Sequence, residues 1–388
     1  MSFDDDPRDD DAPRPDLFLQ ALLHDAVWIE RTDRTRIAFT GADRAKSLHN
    51  LTTQNITALK PGQGAEGFVT TPQGKTLALV TVHVDERDPI LWVRSDAGVA
   101  GSVSSHFSKY CALDETTWTD HSASTTEFLI LGPRAEEILE RVGLRSTAGG
   151  SWAELMASPE GAIRNATLEG LAEVADPALS LPPRLIRERF GAHHGVTILT
   201  GLREAVTIRS RLAERAECAP MPPAKLEALR IEIGLPRFGV DLTADHLPQE
   251  FDRDARAINF TKGCYLGQET VARLDALGHV NKMLRHLKFH SVNAPLPPSG
   301  TTLMKDDRPV GTLTSVARLV DGSGVLGLGM VRIKQAPPGS TVVLTLDRPG
   351  GPSTWAMDIL PLPRFDSLHP LDSQDEVTSG DSKVSNDA

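Results

Sequence analysis

Short apolar runs recur from residue 17 onward, and their spacing changes from one segment to the next. Residues 17–23 form a short apolar segment of helical character. Residues 27–30 and 36–40 read as strands, the second placing Ile37 and Phe39 on one face by its period of two. Residues 42–51 carry Leu48 and Leu51 at helical spacing, with Asp43 and Arg44 early. Segments 67–71 and 76–84 flank Pro72-Gln73-Gly74-Lys75 and predict a hairpin. A strand at 90–93 and a helix at 99–110 follow. A second unit opens with a strand at 128–131, a Gly132-Pro133 break and a helix at 134–141. Its apolar runs at 162–168, 185–190, 196–199 and 206–208 suit a small α+β domain, with Pro182-Pro183 in a loop. A helix at 224–233 carries Leu226, Leu229, Ile231 and Ile233 and ends at Gly234 as a C-cap. Beyond 295, Gly/Pro turns separate β runs at 301–304, 310–316, 325–331, 341–346 and 355–359, the pattern of a small barrel or sandwich.

Length and charge narrow the classes. The 388 residues allow two to three domains. Residues 1–16 hold seven Asp and two Arg, and residues 365–388 six acids and one Lys, so each tail carries a net of −5 of the formal −11. Both tails lack apolar periodicity and read as disordered and solvating. The near-neutral body is not that of a basic nucleic-acid binder. Cys111, Cys218 and Cys264 show no C-x-x-C spacing, which fits a reducing compartment. No charged-then-apolar leader and no run of 18 apolar residues is found, so the expectation is a cytoplasmic protein without a membrane partner.

Candidate chemistry concentrates at 261–273, T-K-G-C-Y-L-G-Q-E-T-V-A-R. Two glycines let the backbone turn, and a helix is predicted from Gly267 with Glu269 in its first turn and an i,i+4 partner in Arg273. Cys264 then lies just ahead of a helix N-terminus beside Lys262. Both features favour a thiolate; the alternative is a buried, inert cysteine. Arg273, Lys282, Arg285, His286 and Lys288 form a basic cluster, either a solvated face or an attractor of acidic groups. His193-His194 lacks ligand spacing, and no metal site is expected. Gly322 to Gly327 spells G-x-G-x-x-G without a βαβ setting, so dinucleotide binding is rejected.

The motif K-G-C-Y-x-G-Q-E followed by A-R resembles the signature of the folate-binding YgfZ family, relatives of the glycine-cleavage aminomethyltransferase. Lys262, Gly263, Cys264, Tyr265, Gly267, Gln268, Glu269 and Arg273 carry the match. Gly41, Asp43, Arg44, Asn50, Leu51, Thr52, Pro61 and Gly62 resemble the family's N-terminal segment, and Gly278, His279, Lys282 and Arg285 its continuation. The resemblance implies an α+β, aminomethyltransferase-like fold of three domains around a central cavity. Its parts are a folate-binding domain at 17–123 and 206–280, a ferredoxin-like middle domain at 124–205 and a C-terminal β-barrel at 281–364. It implies tetrahydrofolate or a derivative as cofactor, with Glu250 on the pterin ring and Asn50, Tyr265, Gln268 and Arg273 as further binding residues. Cys264 and Lys262 take the catalytic role. The implied function is accessory: support of iron–sulfur protein assembly or repair, including iron–sulfur tRNA-modifying enzymes, with iron–sulfur client or assembly proteins as partners. Two other readings stand beside it, a tetrahydrofolate-dependent aminomethyl transferase and a folate-free scaffold. Leu79 occupies the strand position where transferases carry a catalytic aspartate, which counts against the first of these.

Overall fold

The computed structural model describes residues 17–147, 149, 151–171, 181–278, 280–291, 295–348 and 351–363. Both acidic tails and His279 lie outside them. The fold is aminomethyltransferase-like, with mixed helices and sheets and a closed six-stranded C-terminal barrel.

The first sheet has five antiparallel strands, ordered Gly64–Thr70, Thr76–Val84, Leu91–Ser95, Thr35–Thr40 and Thr117–Asp120. The hairpin expected around Gly74 pairs Gly64 with His83 and Val69 with Ala78. In Thr76–Val84 the period of two divides the side chains cleanly. Ala78, Val80 and Val82 enter a core with Ile37, Phe39, Leu48 and Phe107, under the helices Arg44–Leu51 and Ala100–Tyr110. Leu79, Thr81 and His83 therefore face the other way, into a cleft.

A seven-stranded mixed sheet forms the cleft's opposite wall. Its order is Cys218–Pro220, Ala26–Arg31, Thr125–Leu131, His193–Gly201, Arg184–Phe190, Ile163–Leu168 and Leu144–Ser146. Ala26–Arg31, the first strand among the described residues, runs antiparallel to Thr125–Leu131 in the register Val27↔Leu131 to Arg31↔Glu127. The first described strand thus joins the sheet of the middle segment, ahead of the strands of the first sheet. The helices Leu202–Ala213 and Ala135–Arg141 cover one face through Ala205, Ile208, Leu212, Ile138 and Leu139.

The barrel closes in the order Lys282–Phe289, Val325–Arg332, Arg308–Arg318, Thr302–Lys305, Thr341–Arg348 and Gly351–Leu360. Leu287, Leu303, Leu313, Val342, Leu344 and Met357 fill it. The basic cluster expected here does not form one solvated face. Arg285 and His286 are buried; Arg285 pairs with Asp252 at 2.9 Å, and His286 Nε2 bonds the Ile231 carbonyl at 2.7 Å. A further apolar cluster of Phe68, Phe251, Tyr265, Val271, Leu284 and Leu328 joins first sheet, motif and barrel. Fully burying a side chain such as Phe251 contributes about 1.5–3 kcal/mol. Among the described residues, no helix is long and apolar enough to cross a membrane.

Candidate functional site

The K-G-C-Y loop docks on two earlier elements. Leu266 N–H donates to the Asn50 carbonyl at 2.8 Å, and Thr70 Oγ1 to the Leu266 carbonyl at 2.6 Å. The helix begins at Gln268 and runs to Leu277, as its residues predict, with Gly267 capping it at a φ of +85°. A Cβ on Gly267 would lie 2.3 Å from the Thr71 carbonyl oxygen and 2.9 Å from Gly74, so only glycine lets this cap close on the hairpin turn.

Lys262 sits differently from the expectation. Its ammonium is buried and donates to the carbonyls of His49, Thr52 and Gln54 at 2.5, 2.7 and 2.9 Å. Three N–H donors meet three acceptors, so the cation is committed to the end of Arg44–Leu51 rather than to the thiol. Burial pushes the group down to about 7, while the carbonyls and the Tyr265 ring, 4.8 Å away, favour its charged form. Cys264 is exposed, three residues before the helix cap. Cys111 and Cys218 are buried, and burial pushes them up to about 11 and about 12. Asn50 and Arg273 are exposed and Gln268 half-buried around the same loop. Among the described residues, Glu269 and Arg273 form no ion pair.

Glu250 does not line the cleft between the two sheets. It is buried in the short turn Pro248–Phe251, accepts from Leu247 N–H at 3.3 Å and lies 3.8 Å from Lys282 Nζ. Burial raises its carboxyl, against the pull of Lys282.

The central cleft lies between the two sheets, an open space of about 900 Å³. Its lining carries seven arginines against four carboxylates, with Leu79, Ile186 and Phe190 among the apolar residues. Sequence reasoning missed this group because its members come from distant segments. Arg253 holds Glu66 by two bonds of 2.6 Å, and although burial opposes ionisation, Arg253 keeps that carboxyl below the usual range. Arg94 grips Glu127 at 2.8 Å through two nitrogens and reaches Glu188 at 2.7 Å. Burial and Arg94 push His83 down to about 4; its Nδ1 bonds the Gly161 carbonyl at 2.8 Å. Arg256 and Glu160 pair across the cleft at 2.9 Å, both partly exposed, and burial raises Glu160. Gln54 ties this cleft to the loop: its Nε2 bonds the carbonyls of Glu66 and Arg256, and its own carbonyl accepts from Lys262.

Two sheets enclosing a charged cleft, with a barrel behind, define an aminomethyltransferase-like protein. A model of the GCVT N-terminal domain matches residues 19–168, and one of the CAF17 C-terminal beta-barrel domain matches residues 282–350. A chloroplastic Arabidopsis thaliana protein, provisionally named a transferase, is 30% identical over 351 residues, 90% of this chain and 73% of that protein. The tRNA-modifying protein YgfZ of Yersinia pseudotuberculosis is 26% identical over 76% of this chain and 81% of its own length. The glycine cleavage system aminomethyltransferase T of Bartonella henselae shares the fold with a TM-score of 0.72 at 18% identity, covering 88% of this chain and 87% of that one. The chain belongs to the YgfZ family of aminomethyltransferase-like proteins.

Proposed function

We propose that this protein binds a reduced folate in the central cleft and acts as an accessory factor in the assembly or repair of iron–sulfur proteins, tRNA-modifying enzymes included. The observation that carries the folate part is the cleft's chemistry. An apolar wall of Leu79, Ile186 and Phe190 suits a flat heteroaromatic ring, and the excess of arginine suits an acidic ligand. Relatives bearing the YgfZ name are called tRNA-modifying, which supports the accessory role. Glu250, which the resemblance puts on the pterin, does not line this cleft; the proposed acceptor for the pterin's amino and ring N–H groups is instead Glu160, which faces the cleft with Arg256 beside it. A reduced folate supplies one-carbon or electron-donating chemistry when bound. Leu79 lines the cleft and has no proton to move, so aminomethyl transfer lacks its acid. Cys264, exposed on the neighbouring loop, is the reactive thiol for iron–sulfur species or a partner's thiol. An exposed, unpaired thiol suits a reducing compartment such as the cytoplasm.

Calorimetric titration with tetrahydrofolate tests the folate part. Wild-type protein should bind one equivalent, and Glu160→Gln should weaken binding by about 1.5–3 kcal/mol. Absence of binding to the wild type would sink the reading, and formation of methylene-tetrahydrofolate from a lipoyl-carrier adduct at enzymatic rates would move it to the transferase class.

A further inference from the structure

The motif loop meets a histidine whose contacts fix where its ring proton sits. His49 lies in the last turn of Arg44–Leu51, half-buried, and its backbone carbonyl is one of the three that hold the Lys262 ammonium. Its Nδ1 lies 3.2 Å from Thr57 Oγ1, and that hydroxyl donates its one hydrogen to Asn55 Oδ1, also at 3.2 Å. A hydroxyl whose hydrogen is committed can only accept, so Nδ1 carries the ring proton and Nε2 keeps its lone pair. Among the described residues Nε2 makes no hydrogen bond. It abuts the motif: apart from chain neighbours, a Cβ placed on Gly263 would have Nε2 as its one neighbour within 4 Å, at 3.8 Å. Glycine at 263 thus leaves the ring edge uncovered one residue before Cys264, which is exposed.

The charges around the ring keep it a base. The turn Ile56–Ala58, packed against this helix, has no titratable side chain. On the helix itself, Lys46 turns to Asp43 and Asp114, 3.5 Å from each. From the motif loop come Lys262 and Tyr265, whose phenol burial pushes up to about 12 and so keeps neutral. Burial and the Lys262 ammonium together hold the imidazole below the usual histidine range, so at neutral pH it is free to take a proton.

Building on the reading of Cys264 as the reactive thiol, we propose that His49 Nε2 is its proton acceptor, directly or through one water, with Thr57 and Asn55 as positioning residues that hold the required tautomer. The reaction is thiol–disulfide exchange. The Cys264 proton passes to Nε2, the sulfur's electron pair attacks one sulfur of a disulfide, and that S–S bond breaks. The departing thiolate takes the proton back from the imidazolium, so Cys264 ends oxidised in a mixed disulfide and the departing sulfur ends reduced. A free thiol is only a few per cent ionised at pH 7, so an adjacent acceptor engages the fraction that ionisation alone leaves idle.

The test follows exchange of the full chain with dithiodipyridine, read by the absorbance of the released thiopyridone, from about pH 5 to 10. Cys264→Ser should abolish the quick phase. In the wild type that phase should rise twice with pH, once as His49 loses its proton and once as the thiol ionises. His49→Gln should keep only the second rise, about five- to tenfold slower at pH 7 and equal to the wild type above about pH 9, where thiols ionise unaided. Thr57→Val, at an exposed position, should lie between the two. A His49→Gln profile that superimposes on the wild type's, or runs parallel below it at every pH as a purely structural defect would, overturns the proton role while leaving Cys264 reactive. Thr57→Val matching the wild type overturns the tautomer assignment. A quick phase that survives Cys264→Ser removes the reactive-thiol reading itself, and this inference with it.

Discussion

At the scale of single residues, the motif's two most chemical side chains separate in role. Lys262 closes a set of three carbonyls inside the protein, and Cys264 stands in solvent on the loop that Lys262 holds. The cysteine's distinction from the other two thiols rests on exposure and on what burial does to Cys111 and Cys218, whose thiolates are disfavoured. Iodoacetamide at neutral pH should therefore modify one thiol of the native protein quickly and all three only after unfolding, and Cys264→Ser should abolish the quick phase. Comparable native rates at Cys111 or Cys218, read by peptide mass spectrometry, would show that the exposed position confers no selectivity.

At the scale of elements, the parts that could be read in sequence are those that one segment determines by itself. The hairpin around Gly74 and the helix from Gln268 follow from local turn residues and periodicity, and the structure contains both. The direction of Leu79, away from the core and into the cleft, likewise follows from the period of its strand. The cleft's ion pairs were not readable, because Arg94 meets Glu127 across 33 residues and Glu188 across 94. A charged residue inside an apolar β run was the available signal, but it does not name its partner. Lys262 failed for a related reason: sequence shows that it neighbours Cys264, not that the carbonyl end of Arg44–Leu51 arrives from over two hundred residues away. The docking of two glycine-bearing turns can be measured. Gly267→Ala meets both a left-handed φ and the Thr71 carbonyl, whereas Gly98→Ala meets a φ of +77° and open space. The first should cost 2 kcal/mol or more and the second about 1 kcal/mol, since the left-handed conformation alone accounts for roughly 1–2 kcal/mol. Urea midpoints that fall equally would mean that the helix cap and hairpin turn are not tightly joined.

For the whole molecule, the cleft concentrates buried charge between two sheets, and that makes folding sensitive to acid. His83 is fully buried against Arg94 and is pushed down to about 4, below the ordinary histidine value near 6.5. Between those two values the unfolded chain takes up a proton that the folded chain refuses. Stability is thus lost as pH falls from about 6.5 to 4, by up to about 3 kcal/mol from this residue. Asp254, pushed up to about 6 by burial and by Asp252 and Asp275, works in the opposite sense, because there the folded chain holds the extra proton. Glu66, Glu127 and Glu188, all held below the usual carboxylate range by arginines despite their burial, add acid sensitivity at lower pH. The total slope therefore mixes several groups, and the difference between wild type and His83→Gln isolates one of them. Across pH 4–6.5 the variant's stability, from urea unfolding at each pH, should fall less steeply than the wild type's, whatever its absolute offset. Parallel curves would show that His83 gains its proton in the folded protein as readily as in the unfolded chain, and the cleft wall would then have to admit a cation beside Arg94.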